Sequence, residues 1–406
     1  LGSGSTLRNR INTTGVAGIY VGGGGYFAME NDTLITNCEN TGSIQPGGGI
    51  FVDGVSESTA VFSMYGGTIS YCSALNGGGI SLYNNVQAMI TGGSIYECHS
   101  VLGEERGSGG GINIHGEAAT ALLSMTGGEI RTCTAMYGGG ISSYNNVYIL
   151  LDGGLIEKCT ATGNGGGING CGESANVTIY IQSGTIQSCY APLGGGISAY
   201  QSVSIAMNGG TINLCDATES VGGAISQTTN TADLPGASAS FAMRDGTISN
   251  CTSASSGGGL FMSGGNTSLS IEGGKIQNCS SSSGGGVAIN GDVTAEMTGG
   301  LIDQCFASNS AEESAGNGAG IYCTGTVVFT MGNGTISNCI ADQSGGGLFM
   351  SGEASEFFMT GGTISTCTAT NGGGIYLENG GELITMTMNE GTITNCEATQ
   401  YGGGVY

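Results

Sequence analysis

Thirteen cysteines recur at one place in a repeating pattern: Cys38, Cys72, Cys98, Cys133, Cys159, Cys189, Cys215, Cys251, Cys279, Cys305, Cys339, Cys367 and Cys396. Successive spacings run from 26 to 36 residues, and 26 recurs. A row of this kind could serve as a redox ladder, a line of metal ligands or a set of disulfides. Tetrahedral zinc needs four ligands converging on a point, which a single row cannot supply, so no metal and no cofactor is expected. Stacked Cα atoms about 4.8 Å apart lie within disulfide range, yet parallel side chains hold the Cβ atoms beyond the usual ~3.8 Å. Isolated disulfides therefore stay open, at the cost of strain. The chain has 15 cysteines, an odd number, so complete internal pairing is impossible. The simpler reading is a structural ladder of buried thiols, since cysteine behaves as a small, weakly polar residue that packs on itself.

Other chemistry is sparse. His99 and His115 are the only histidines, and no Ser-His-Asp spacing accompanies them. The carboxylates Asp152, Glu157, Glu173, Asp216 and Glu272 form no row, and no Lys or Arg recurs beside them, so they read as solvated surface charge. No catalytic residue is assigned. The calcium-binding GGxGxD nonapeptide is absent. With 7 Lys+Arg against 30 Asp+Glu, the net charge of −23 repels phosphate backbones, which excludes nucleic acid as a partner.

What must position the cysteines is a repeat, seen cleanly as GGTISTCTATNGGGI from Gly361 to Ile375 and GGTISYCSALNGGGI from Gly66 to Ile80. Between Gly194 and Ala217 it reads as three short strands. Ile197 and Ala199 alternate with polar positions in the first, and Val203, Ile205 and Met207 share one face of the second. In the third, Ile212 and Ala217 point inward, and a bulge or corner must separate Ile212 from Cys215. The second-strand position recurs as Met64, Ile90, Met125, Leu151, Ile181, Met207, Met243, Ile271, Met297, Met331, Met359 and Met388. Like residues in successive repeats imply parallel, in-register stacking. The fold class is all-β: a single-stranded parallel β-helix of about thirteen three-strand coils with almost no helix.

Residues 1–406 read as one such domain, with 1–38 as an irregular first coil or partial cap and an uncapped C-terminal end. Insertions at Ser100–Ser108, Gln227–Ser240 and Ser308–Ala319 fall at corners. No apolar run is long enough for a transmembrane helix. The outward position after the glycine signal is aromatic in the C-terminal half, at Phe261, Tyr322, Phe349, Tyr376 and Tyr406. Such a row is a candidate interaction face, for a glycan or a neighbouring molecule, or else mere stacking between coils.

The alternation of a GGGI-type signal with I-x-x-C-x-A resembles the chlamydial polymorphic outer-membrane proteins and related autotransporter passengers, whose repeats carry GGA[ILV] and FxxN. Gly222, Gly223, Ala224 and Ile225 reproduce the first motif. Units such as MTGGTIS and LGSGSTL are similar to those of glycine-rich β-helix surface proteins of anaerobic bacteria. The resemblance implies a right-handed β-helix displayed outside the cell. Here Ile stands for the motif's Phe and Cys for its Asn, so the family's Asn ladder becomes a thiol ladder. The expected function is a non-enzymatic extracellular stalk, fibre or adhesin that self-associates into a fibre or bundle and meets glycans or a host cell surface. The alternative is a carbohydrate-active β-helix enzyme, marked by a cleft holding two or more carboxylates and a basic residue.

Overall fold

The computed structural model describes residues 1–13, 18–42, 46–100, 107–117, 119–308, 316–352, 354–379 and 383–406. The chain divides into two compact units, Leu1–Ser204 and Ile205–Tyr406. Each is a β-solenoid of parallel, stacked coils, and the two together hold about thirteen turns. Among the described residues there is no helix, and hence none long and apolar enough to cross a membrane.

One coil of the N-terminal unit shows how the repeat folds. Its first strand, Ile112–His115, pairs in parallel with Ile80–Tyr83 on one side and Ile141–Tyr144 on the other. The second strand, Ala121–Met125, and the third, Glu129–Arg131, stack in the same way. The chain then turns at Thr132, passes Cys133, and forms a fourth strand, Thr134–Tyr137, in a separate sheet. A coil therefore has four strand segments where three were expected. Of the bulge or corner expected before the cysteine, the structure has the corner, in left-handed conformation.

That corner is uniform. The residue before every column cysteine has φ between 51° and 56°: Asn37, Tyr71, Glu97, Thr132, Lys158 and Ser188 in the N-terminal unit, and Leu214, Asn250, Asn278, Gln304, Asn338, Thr366 and Asn395 in the C-terminal one. Asparagine tolerates this region, whereas a β-branched residue is strained in it. Thr132→Asn should therefore stabilise the fold by about 0.5–1 kcal/mol, part of the usual left-handed penalty. Calorimetry checks this, and an unchanged or lowered melting temperature would show that stacking has already absorbed the strain.

The core follows the expected columns. Met64, Ile90, Met125, Leu151 and Ile181 are all at most 2% exposed in the N-terminal unit. Met207, Met243, Ile271, Met297, Met331 and Met359 are equally buried in the C-terminal unit. Met388 departs at 44% exposure, since only one neighbouring coil covers it. Residues 1–38 supply coil strands: Thr6–Arg8 pairs with Leu34–Thr36, Ile19–Gly22 with Ile50–Asp53, and Tyr26–Met29 with Val61–Met64. The 227–240 insertion lies between a first and a second strand, Ile225–Thr228 and Ala239–Ser249. Most of the 100–108 and 308–319 insertions lies outside the described residues.

Candidate functional site

The cysteine ladder has a structural task. Every column thiol lies 3.2–3.6 Å from the carbonyl oxygen two residues before it, which the left-handed corner turns inward. Cys133 Sγ, for example, is 3.4 Å from the Arg131 carbonyl and 3.8 Å from that of Ile95, one coil back. The thiol is thus a weak donor that clasps the corner. All column cysteines are buried except Cys396, which is half-buried, and all fifteen cysteines are free. Burial pushes the thiols of Cys98, Cys133, Cys251 and Cys339 well above their ordinary value, which keeps them protonated. A thiol reagent should therefore find fifteen reactive groups in the denatured, unreduced chain. In the native chain it should reach at most the half-buried Cys171 and Cys396. A substantially lower count after denaturation would reveal disulfides.

The aromatic row of the C-terminal unit turns out to be closed rather than open. Tyr322, Phe349, Tyr376 and Tyr406 lie face to face, with centroids 5.1, 5.4 and 5.4 Å apart and interplanar angles of 14°, 4° and 26°. The ring faces are spent on one another. Phe349 is only 3% exposed, Tyr322 and Tyr376 are half-buried, and Tyr406 is 53% exposed. Phe261 stands outside the stack, because Ala288 separates it from Tyr322. Cross-coil stacking accounts for this row, and as a contact face it offers little more than ring edges.

A cleft of about 520 Å³ opens instead on the N-terminal unit. Its floor is the second residue of successive first strands, Asn113, Ser142 and Asn169, paired in register and 4–7% exposed. One wall is the fourth residue of the same strands: Tyr83, His115, Tyr144 and Cys171 in register, with Tyr200 farther along. The other wall is the segment just before each glycine triplet, at Asn76, Ser108, Tyr137 and Asn164, which are also aligned coil by coil. The left-handed corner before each cysteine, followed by the fourth strand, brings that wall back toward the first strand.

The rings in this wall meet edge to face. His115 lies 5.1 Å from Tyr83 at 74° and 5.0 Å from Tyr144 at 77°. Such packing is favourable for rings with negative faces and positive edges. The Tyr144 hydroxyl donates to Glu173 Oε2 at 2.5 Å, and that bond pushes the phenol up to about 12. Cys171 Sγ is 3.8 Å from Glu173 Oε1, and burial, aided by the nearby carboxylate, pushes its thiol up to about 12. Tyr144 and Cys171 are therefore neutral at physiological pH.

Burial also lowers the His115 imidazole below its ordinary 6.5, against an opposing pull from Glu117. The folded state thus resists a proton that the unfolded state accepts. Above pH 6.5 the effect on stability is nil. It grows as pH falls below 6.5, and levels off once the pH passes the lowered native value. In denaturant titrations across that window, His115→Phe should lose less stability than the parent chain. Equal losses would show that His115 does not titrate abnormally.

His99, the other histidine, lies apart on a fourth strand, with Nδ1 2.7 Å from Thr134 Oγ1. Asp152, Glu157, Asp216 and Glu272 are spread among local partners: Ser183, Gln187 with Lys158, Thr252 and Arg244. Glu173 differs, because Tyr144 one coil earlier draws it to the cleft. Cys171 and Cys323, both outside the column, also separate: Cys171 faces the cleft, whereas Cys323 is fully buried between Ile289 and Met350. Among the described residues, no cluster of His, Cys, Asp or Glu could hold a metal ion. Comparison with protein-family models, curated proteins and solved structures found no match.

Proposed function

We propose that the protein is a non-enzymatic, extracellular β-solenoid with a structural or adhesive role, and that it holds carbohydrate in the cleft of its N-terminal unit. The observation that carries this reading is the lining itself, in which tyrosine rings on one wall face asparagine and serine side chains on the floor. A sugar presents apolar C–H faces and a rim of hydroxyls, which such a mixture of rings and amides complements. Display outside the cell accords with a chain that is only 9% charged, and with the resemblance of its repeat to surface-displayed β-helices. Holding rather than cutting accords with the lining carboxylates: Glu173 is the only one among the described residues, whereas glycoside hydrolysis ordinarily uses two.

An immobilised panel of glycans tests the proposal, with Tyr83→Ala/Tyr144→Ala as the comparison protein. Binding by the parent chain, lost in the double variant, with the glycan recovered at its original mass, is the expected result. Shortened products would favour the carbohydrate-active enzyme, and absence of binding across the panel would overturn the adhesive reading.

A further inference from the structure

Resting on that reading, we infer that the cleft takes an uncharged linear polysaccharide laid along the direction in which the coils stack, rather than a uronate, sulfated or amino-sugar chain. The lining repeats itself in that direction. Tyr83, His115 and Tyr144 succeed one another in register, as do Asn113, Ser142 and Asn169. Each step along the stack is about 4.8 Å. A ligand that meets the same chemistry at each step is one that repeats its own chemistry, which is a polymer rather than a single sugar.

Charge narrows the class. No Lys or Arg lines the cleft among the described residues, so an anion at each repeat would be desolvated without a partner, in a chain of net charge −23. A cation at each repeat would find only Glu173, whose Oε2 already accepts the Tyr144 hydroxyl. The floor amides and hydroxyls both donate and accept, which suits neutral hydroxyl and acetamido groups. These floor groups sit on strands paired on both sides, so the site is pre-organised and little ordering opposes binding.

Titration calorimetry with three oligosaccharide series of increasing length decides the matter: N-acetylglucosamine oligomers, their deacetylated cationic counterparts, and uronate oligomers. The neutral series should bind with affinity that climbs ring by ring until the cleft is filled, and then levels. Tyr144→Ala should weaken it about ten-fold, the loss of one aromatic contact of ~1.4 kcal/mol. Tyr144→Phe, which keeps the ring, should bind nearly as well as the parent, and Tyr376→Ala in the C-terminal unit should change nothing. Thermal melts of each variant separate lost binding from lost folding. Tighter binding of either charged series, or an affinity independent of length, would overturn this inference and leave the adhesive reading standing. Failure of all three series, together with a wider glycan panel, would overturn both.

Discussion

Ile212→Asp should abolish cooperative folding of the C-terminal unit. Ile212 is 0% exposed, at the place in the third strand that Ile248, Ile276, Ile302, Ile336 and Ile364 occupy in the following coils, all at most 1% exposed. From Ile248 onward these residues are paired in register, so each isoleucine covers the next. A carboxylate here would have no cation to meet and no water to solvate it, a cost of several kcal/mol. In a solenoid that loss is not spread over the whole chain, because each coil is held only by its neighbours. Ile212→Val, which removes one methyl group, should cost about 0.5–1.5 kcal/mol and serves as the control. Circular dichroism melts distinguish the outcomes: the aspartate variant should keep only the part of the transition that belongs to Leu1–Ser204, and the valine variant should keep the whole of it at a modestly lowered temperature. A parental melt for Ile212→Asp would mean that this position faces solvent.

The stacking was legible in the sequence because it is a property of columns. Thirteen imperfect copies of one unit reveal which positions must be apolar, and the Met/Ile and Cys columns are buried as that pattern implies, save Met388 and Cys396 in the last coil. The left-handed conformation of the corner before the cysteine was not legible in the same way. Its left-handed position holds Tyr71, Glu97, Lys158 and Leu214 as well as asparagines, so residue type carries no common signal. Stacking on the neighbouring coil imposes the conformation, overriding local preference. The two-residue fourth strands, such as Tyr190–Ala191, are too short to show a period at all.

The cleft was hidden for a related reason. Following the second residue of the first strand leads to Tyr322, Phe349 and Tyr376, where bulky neighbours stack and close the face. In the coils that form the cleft that same position is small or polar, at Ser81, Asn113, Ser142 and Asn169, and its smallness leaves the space, whereas Phe51 fills it one coil before Ser81. The rings there stand two residues later, at Tyr83, His115 and Tyr144, a column that the same alignment would have displayed. The opposite wall could not be read so directly. Asn76, Ser108, Tyr137 and Asn164 reach the cleft because the corner before the cysteine and the unexpected fourth strand return the chain toward the first strand.

The second large effect concerns the glycine that closes that return. Gly138 follows Tyr137 of the cleft wall, has φ +66°, and donates its N–H to the Asn164 carbonyl at 2.9 Å. A Cβ there would overlap the Ile141 carbonyl within the same turn and lie 2.7 Å from the Ser142 nitrogen, so no neighbouring side chain could yield to relieve it. From the coil of Gly47 to that of Gly402 the first position of the triplet is always glycine, with φ between 58° and 87°. The other two positions are less strict: Ala319 occupies the second in one coil and Ala224 the third in another. Gly138→Val should therefore combine a left-handed penalty of ~1–2 kcal/mol with an overpacking cost of ~1–3 kcal/mol, whereas Gly139→Ala incurs only the second. In urea titrations the valine variant should unfold at a far lower midpoint than the alanine variant. Where it still folds, it should bind glycan poorly, because the displaced turn carries Tyr137 with it. Equal midpoints would show that this turn does not need its positive φ, and an undiminished affinity in a folded Gly138→Val chain would remove Tyr137 from the binding wall.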